Sequence, residues 1–487
     1  MATVTQRKQR RRIFIFKKLS LAKPAGGRSR RRRWIIGSVL AALLLVWLIP
    51  VIIAHSFLLN WIVGLAAADL DGEVRVGSAS LGWFSPIELG EIEVLDAQQQ
   101  PLASIASVTG DRSLLKILWN TSNVGRFRIE GPRLSVVLRP DGSNVEDALA
   151  AYLVPSEEPS GSMDLGLDVV DGTISITDAR TQQSWQIERF QLALTTSADP
   201  TGPLELETSG STADATRPGQ FEVGLKLRVG RIGNPSYVAD APGDAAPSEA
   251  AREVESSAGS SPDSGDLTLR ADVLPLAMFE SLLGRFVPDT RLDGRLSSAI
   301  QCQWSGAEGI DRAVVQGSVT ADDFTLAMPG LGRDKVALAQ LKAVCHAAWQ
   351  DGKVQVDRAV VHCDVGNASL VGTLDLGQKE AQDLLTTISH QSYELDGRID
   401  LARLARMLPG TLHVREGTEI TSGRLEVAMA SRPGPDGMAW LGRLEARDLA
   451  AVNQGRPLVW QQPILVNLAA RETKHGPVVE SLKCHSS

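Results

Sequence analysis

The stretch IEGPRLSVVLRPDGSNVEDAL, from Ile129 to Leu149, shows the pattern that most of the chain repeats. Leu134, Val136 and Leu138 alternate with a second set of side chains, Arg133, Ser135, Val137 and Arg139. This period of two indicates a strand with two unlike faces. Asp141-Gly142 then predicts a tight turn, and Asn144 opens a short apolar-rich helix. The stretch contains no cluster of reactive groups.

Similar alternation recurs along the chain, for example in GEVRVGSASL (72–81), FEVGLKLRVG (221–230) and GKVQVDRAVVHC (352–363). Seven Asp-Gly pairs separate such segments and predict hairpin turns, because glycine accepts positive φ. They begin at Asp71, Asp141, Asp171, Asp293, Asp351, Asp396 and Asp436. We therefore expect a mainly β protein, an antiparallel meander with short helices near 145–153, 274–286 and 401–408.

The N-terminus has a different character. The first 33 of the 487 residues carry 13 Lys and Arg and no acid, while the rest carry 37 basic and 57 acidic residues. WIIGSVLAALLLVWLIPVIIA, from Trp34 to Ala54, follows directly with 21 uncharged residues. At about 1.5 Å per residue it can cross the roughly 30 Å hydrocarbon core of a bilayer. We predict a transmembrane helix with Trp34 and Trp61 as interface anchors, residues 1–33 in the cytoplasm and the bulk of the chain outside it.

Other interpretations of this N-terminus are weaker. A cleaved signal peptide has an apolar core of about 7–15 residues, which is shorter than this one, although GLAAAD (64–69) resembles a cleavage site. A twin-arginine signal fits less well because RRRIFIFKK (10–18) is not joined to its own apolar core. A basic run beside a membrane span is usually a topology signal or a contact with anionic lipid, so we expect no nucleic-acid partner.

The segment 239–266 has no aromatic residue and is rich in Ala, Ser, Gly, Pro and acids, which predicts a disordered linker. Composition and pattern divide the chain as follows: basic tail 1–33, anchor 34–62, N-terminal β module 63–154, second β module 163–238, linker 239–266, β repeat one 267–393 and β repeat two 394–487.

The two repeats rest on three matched pairs of segments at an offset of about 125 to 129 residues. They are ADVLPLAMFESLLG (271–284) with IDLARLARMLPG (399–410), DGRLSSA (293–299) with SGRLEVA (422–428), and GSVTADDF (317–324) with GRLEARDL (442–449). The second copy reaches VVESLKCHSS, comparable to VDRAVVHCDV (356–365). We expect the second repeat to be incomplete, as in a fragment or the product of a split gene.

The order of basic tail, single anchor, VRVGSASLGWFSPIELGEIEVLDAQQQPLASI (74–105) and then IEGPRLSVVLRPDGSNVEDAL resembles the N-terminal module of the AsmA-like superfamily, which includes the TamB-type proteins of bacterial envelopes. Gly131, Pro132, Asp141, Gly142 and Asn144 are the closest matches. The resemblance covers roughly residues 34–195, and a TamB-type C-terminal domain is not visible. It implies a β-sheet curled into a lipid-carrying groove, anchored in the inner membrane and extending through the periplasm.

The strand pattern alone favours a closed sandwich core. Leu134, Val136 and Leu138 are our candidate groove-lining residues, since one apolar face can line a trough while the other meets water. Each acyl CH₂ kept out of water is worth about 0.8 kcal/mol, so a chain of about 15 such groups is stabilised by about 12 kcal/mol. The anchor, the repeat and the resemblance favour the trough.

Reactive side chains are scattered. With Asp351-Gly352 as a two-residue turn, Cys345 should face Arg358 and Cys363 should face Gln340, about 17 Å apart along the ladder. This exceeds the limit of about 7 Å for a disulfide, while a Cys302–Cys345 disulfide stays open. Cys345-His346 and His362-Cys363 can each give only one ligand per sheet face, so we expect no metal site and no cofactor.

The leading hypothesis is therefore a non-catalytic, single-pass inner-membrane protein whose periplasmic sheet binds phospholipid or other acyl lipid for transport and envelope biogenesis. An outer-membrane protein is a further candidate partner. The alternatives are a membrane-tethered scaffold with a filled core, and an enzyme, for which no Gly-x-Ser-x-Gly, His-Glu-x-x-His or phosphate loop is found.

Overall fold

A computed structural model describes residues 28–153, 163–199, 202–214, 217–228, 263–306, 310–350, 352–375, 391–434, 437–473 and 476–486. The protein is mainly β, with 64% strand and 17% helix. The chain divides into two compact units, Met1–Ile52 and Ile53–Ser487. The coarser part of the predicted fold class is thus confirmed: one long sheet of antiparallel strands with a few helices and one apolar N-terminal helix.

Helix α1 (Arg28–Ala54) accounts for the described part of the first unit and ends in the second. Its apolar stretch Trp34–Ala54 has a mean hydropathy of 2.8 and is long and apolar enough to cross a membrane. Pro50 lies inside the helix, where membrane helices tolerate proline. Trp34 is exposed. The anchor is thereby supported by length and composition.

The described part of the second unit contains twenty-two strands and six short helices. The strands are β1 (Gly72–Ser80), β2 (Pro86–Asp96), β3 (Pro101–Ser113), β4 (Asn123–Glu130), β5 (Arg133–Arg139), β6 (Gly142–Ser143), β7 (Asp164–Asp178), β8 (Ser184–Thr196), β9 (Pro203–Thr212), β10 (Gln220–Arg228), β11 (Asp263–Pro275), β12 (Arg291–Gly306), β13 (Arg312–Ala327), β14 (Val336–Gln350), β15 (Lys353–Cys363), β16 (Gly366–Asp375), β17 (Ser392–Asp400), β18 (Thr418–Gly434), β19 (Gly437–Asn453), β20 (Arg456–Val459), β21 (Ile464–Thr473) and β22 (Gly476–Ser486). The helices are α2 (Leu58–Ala66), α3 (Leu114–Trp119), α4 (Asn144–Ala148), α5 (Ala150–Leu153), α6 (Glu280–Phe286) and α7 (Leu401–Met407), with 3₁₀ turns at Leu276–Phe279 and Pro329–Leu331.

The predicted short helices lie close to their expected places. The segment 145–153 contains α4 and α5, and 401–408 contains α7. In 274–286 the first two residues still belong to β11, and a 3₁₀ turn precedes α6. α6 and α7 each lie between two longer strands, and α4 and α5 lie between the two-residue β6 and β7.

From β7 to β19 each strand pairs antiparallel with the next one in the chain, and β21 and β22 continue the series after the short β20. β1, β2 and β3 also pair in order. Within the described strands the meander is interrupted once, because β4 and β5 both pair parallel with β7. Parallel pairing needs a crossover, and β6, α4 and α5 lie in that connection.

β4 and β5 together occupy one place in the sheet, between β3 and β7. They are separated by Gly131-Pro132, where Gly131 has φ +57° and so suits glycine. The Gly131 N–H donates to Val170 O over 3.0 Å, and Pro132 O accepts from Thr173 N over 2.8 Å. Gly131 and Pro132, two of the residues on which the resemblance rests, thus form a kink that keeps its hydrogen bonds to β7.

A β-bulge in β7 faces this kink. Asp171 has φ +57°, and the register with β8 shifts between Val169 and Gly172. The apolar residues change there from odd positions such as Val169 to even positions such as Ile174 and Ile176. Because a bulge adds one residue to a strand, it keeps both sets on the same face of the sheet.

The hairpin prediction was wrong for several Asp-Gly pairs. Those at Asp171, Asp293 and Asp396 lie inside β7, β12 and β17, and Asp71 lies in a bend before β1. Cross-strand pairing on both sides prevails over local turn preference there, and Gly294 (φ +122°) marks a bulge. Asp141-Gly142 does turn the chain between β5 and β6. Asp351 and Asp436 lie outside the described residues, whereas Gly352 stands between the paired β14 and β15, and Gly437 is the first residue of β19 and pairs with Gly434 of β18.

The matched segments of the two repeats lie on equivalent elements. The pair 271–284 and 399–410 joins a strand end to a helix, in β11 and α6 and in β17 and α7. The other matched pairs fall in β12 and β18, and in β13 and β19. Even the bulges correspond, since Asp323 and Asp448 have φ +52° and +56° opposite Gly294 and Gly423.

Three predicted boundaries need correction. Residues 239–262 of the predicted linker lie outside the described residues. Its last four residues, Asp263 to Asp266, belong to β11 and pair with β12. The boundary at 393/394 falls inside β17. The anchor predicted as 34–62 ends with α1 at Ala54, and α2 packs on the sheet through Leu59. Composition alone does not show which segment gains hydrogen-bond partners.

Candidate functional site

The candidate site is one face of the sheet, and the register defines it, because directly paired residues point to the same side. On β5, Leu134 and Val136 pair with Ile174 and Ile176 of β7. Both are half-buried, and Arg133 on the opposite side is exposed. The three predicted groove-lining residues therefore share one face. Leu138 is buried, 9% exposed, and lies beside Asp178 rather than at an open position.

A single row of paired residues can be followed over this face from β1 to β22. It consists of Ala79, Leu89, Val108, Ile129, Val169, Leu192, Thr208, Val223, Leu269, Ile300, Gly317, Cys345, Ala359, Leu370, Leu395, Met429, Gly442, Leu468 and Leu482. We call it the apolar row. It contains no charged residue and one hydroxyl, at Thr208. With strands about 4.8 Å apart, it runs for about 85 Å along the sheet.

No member of the apolar row is buried. Val169, Leu269, Ile300 and Leu395 are half-buried, and Leu482 is exposed. In a closed sandwich a second sheet covers the inner face and buries such side chains. The described strands form one continuous sheet, so no second, separate sheet covers the row there.

The reverse side of the same strands is polar. The row that starts at Arg128 continues through Asp168, Ala193, Glu207, Gly224, Thr268, Gln301, Gln316, His346 and Arg358. Asp168, Glu207 and Arg270 are among the residues that line a depression on this part of the sheet. Solvent therefore suits this face from β4 to β15, and the two faces differ over those strands.

The remaining family-motif residues shape the end of β5. The Asn144 side chain accepts from Val137 N over 2.8 Å and donates to Ser135 O over 2.9 Å. It thereby satisfies two backbone groups of β5 that a neighbouring strand would otherwise bond. Ser143 Oγ caps α4 by accepting from Glu146 N over 3.1 Å. Gly142 pairs with Arg139 next to the turn. Gly142, Ser143 and Asn144 thus complete the backbone hydrogen bonds at this end of β5.

Two contacts fix α6 beside this motif. Arg285 donates to both oxygens of Glu146, over 2.9 Å and 3.1 Å, and this lowers the pKa of Glu146. Ser281 Oγ donates to Asp178, which is buried. Burial alone would raise the pKa of Asp178, but the hydrogen bonds from Ser281 and from the Thr181 and Arg180 backbone hold it below its ordinary value.

The two predicted interface tryptophans lie on different helices. Trp34 lies in α1, whereas Trp61 lies in α2, and both are exposed. The sequence pattern identified these two residues but missed most of the apolar row. The signal for that row is the alternation within each strand, combined with its change of phase at the bulges.

The cysteines are free thiols. A bulge between His346 and Ala347 shifts the expected register by one residue, so Cys345 pairs with Ala359 and Cys363 with Leu341. Cys302 and Cys345 lie two strands apart, about 10 Å, which exceeds the limit for a disulfide. That possibility is therefore removed.

Potential ligands for chemistry stay dispersed. Among the described residues no three His, Cys, Asp or Glu side chains are grouped closely enough to hold a metal ion. His346 Nδ1 lies 2.9 Å from Asp357 Oδ2, and both side chains are exposed. On the polar face Glu445 is bound by Arg447 over 2.5 Å and by Arg443 over 2.9 Å, which lowers its pKa. These contacts are ion pairs between neighbouring side chains.

In comparisons with known proteins, the sequence matches no family model and no curated protein.

Proposed function

We propose that this chain is a membrane-anchored, non-catalytic protein of the AsmA-like type whose sheet binds lipid acyl chains and carries them between membranes. The apolar row is the observation that carries the proposal. A specific ligand site needs a few polar groups in fixed positions, whereas an acyl chain needs many equivalent aliphatic contacts. The row offers such contacts on strand after strand.

The energetics favour a hydrocarbon occupant. Half-buried side chains such as Leu269 and Ile300 keep part of their apolar surface in water when the face is empty. An acyl chain laid along the row would remove water from both surfaces, at about 0.8 kcal/mol for each CH₂. Successive positions are alike, so a lipid could move along the row without a large change in free energy.

The proposed location follows from the N-terminus. The basic residues before Trp34 favour a cytoplasmic tail, and the bulk of the chain would then lie in the periplasm. The resemblance in 34–195 points to the bacterial inner membrane and to delivery toward the outer envelope. Phospholipid is the expected cargo, and an outer-membrane protein is the expected partner at the far end.

The experiment uses the full chain with a photoactivatable amino acid at Leu370 or, as a matched control, at Val371. Leu370 belongs to the apolar row, while its neighbour Val371 points to the polar face and is 49% exposed. We expect lipid adducts, identified by mass spectrometry, at Leu370 and none at Val371. Equal labelling, or no lipid at either position and none in extracts of the purified protein, would reject lipid binding and leave the scaffold alternative.

A further inference from the structure

The second unit has an apolar surface away from the sheet face, on α2. Phe57, Trp61 and Leu65 recur every four residues and are 83%, 64% and 66% exposed. The other side of the helix packs on the sheet, where Leu59 joins Val76 and Ile92 in a buried cluster. α2 is thus apolar on both sides, although only one side has a partner among the described residues.

The one strongly polar side chain of α2 already forms a hydrogen bond to the sheet. Asn60 Oδ1 accepts a hydrogen bond from Val76 N over 2.9 Å. The exposed side of the helix therefore consists of large apolar groups with no charge. In water, this helix would leave all three apolar side chains hydrated. An exposed apolar surface of this kind usually marks a site of contact with a partner or a membrane.

A second group of exposed apolar residues is linked to the cluster beneath α2 through Leu81. Leu81 packs against the same buried cluster, and the loop after it exposes Phe84. That loop is joined to α3, because Leu115 N donates to Trp83 O over 3.3 Å. On α3, Leu118 and Trp119 are 64% and 87% exposed. We call Phe57, Trp61, Leu65, Phe84, Leu118 and Trp119 the aromatic patch.

Chain connectivity indicates which partner can reach the patch. Phe57 follows Ala54, the last residue of α1, by three positions, so the two Cα atoms are at most about 11 Å apart. The segments 53–66, 81–85 and 114–119 contain no acidic residue and one lysine, Lys116. Trp and Phe with a nearby Lys are the groups that prefer the headgroup region of a bilayer.

We propose that the aromatic patch is a second membrane-contact surface, which lies in the headgroup region of the anchoring bilayer and holds the first strands of the sheet against it. The inference rests on α1 as an anchor. It adds that α2 lies on the membrane as an interfacial helix rather than extending the span. The first strands of the apolar row, whose Ala79 and Leu89 pack against the cluster beneath α2, would then be held at the bilayer surface.

The test is spin labelling of the full chain, with its four cysteines replaced by alanine, in vesicles of phosphatidylethanolamine and phosphatidylglycerol. Nitroxides are placed singly at Trp61, Leu65 and Trp119, with Gln98 and Val371 as exposed controls. We expect oxygen collisions to dominate at the three patch positions and water-soluble nickel collisions to dominate at both controls. If the nitroxides at the patch positions collide with nickel as often as the nitroxide at Gln98, the proposal is overturned.

Two further outcomes are informative. Dipolar broadening that disappears on dilution with unlabelled protein would assign the patch to a second copy of the chain, and would also overturn the proposal. The Leu370 lipid adduct is independent of these labels. If the patch labels are immersed in lipid but Leu370 gives no lipid adduct, lipid transport is rejected and the membrane contact is supported. If Leu370 gives the adduct but the patch labels are exposed to water, the membrane contact is rejected and lipid transport is supported.

Discussion

The guanidinium of Arg285 donates to both carboxylate oxygens of Glu146, although 139 positions separate the two residues. The contact joins α6 of the first repeat to α4 of the N-terminal module. Asp334 makes a comparable link to the second repeat, because it accepts from Gly410 N and Thr411 N after α7. The short helices and loops therefore connect modules that composition and sequence pattern divide from one another.

Replacing Arg285 with Gln should loosen α6 without unfolding the sheet. Glu146 is 45% exposed, so solvent screening limits the pair to roughly 0.5–1 kcal/mol. Hydrogen exchange of the α6 amides should accelerate by about two- to fivefold. Arg128→Gln is the matched control, since Arg128 pairs with Glu130 on its own strand with both side chains half exposed. An equal effect in the control would contradict the prediction.

The contact between Asp178 and Ser281 should make the docking of α6 sensitive to acid. The pKa of Asp178 is lower in the folded state, so its contribution to stability is complete above the ordinary carboxyl range and is lost as pH falls through the folded pKa. We expect the difference in Tm between the wild type and Asp178→Asn, measured by circular dichroism, to shrink as the pH is lowered from neutral into the acid range. A constant difference would show that the charge of Asp178 has no role.

The bulge glycines should tolerate no side chain. Gly294 has φ +122°, and a Cβ there would lie 2.9 Å from Asp322 O. Gly294→Ala should cost roughly 2 kcal/mol or more, because backbone strain is added to the clash. Exchange protection of β12 and β13 should then fall about thirtyfold. Gly330→Ala, with nothing within 4 Å of its Cβ, should leave protection unchanged.

The four thiols should differ in reactivity. Burial raises the pKa of the Cys302 thiol, whereas Cys345 and Cys484 are exposed. Timed alkylation of the folded protein at mildly alkaline pH, followed by mass spectrometry, should modify Cys345 and Cys484 before Cys302. All four should react after denaturation without reductant. A disulfide-linked peptide containing Cys302 and Cys345 would contradict the strand register.

A charge in the apolar row should remove lipid without removing the fold. Leu370 is half-buried, so Leu370→Asp can keep its strand while it places a carboxylate against the proposed hydrocarbon. We expect copurified lipid per protein to fall by roughly tenfold, equivalent to about 1.4 kcal/mol. Val371→Asp on the polar face should retain lipid. Equal retention in both variants would place the lipid elsewhere.

The strands were predictable from the sequence because each one carries its own alternation. Their order from β7 onward was predictable because neighbouring strands pair. The parallel pairing of β4 and β5 with β7 was not, since it depends on contacts between distant segments. Nor was the separation of α2 from α1, because His55 and Ser56 are the only polar residues between two apolar runs.

The candidate face was predictable only in part. Leu134 and Val136 were identified from one strand, but the apolar row depends on how far each strand is shifted against the next. Bulges such as those at Asp171 and Arg189 change the phase of alternation, and local sequence does not reveal which residues they realign. The Asp-Gly pairs inside strands misled for the same reason, because pairing on both sides overrides a local turn preference.

Across the described residues from β8 to β18, every strand bonds only to the strands just before and after it in the chain. Gain or loss of a whole hairpin would therefore leave the other pairings in register, as in repeat proteins. Duplication of one unit would lengthen the path by a fixed increment without redesign of its neighbours. Such an architecture would allow the length of the proposed lipid path to be matched to the width of a compartment.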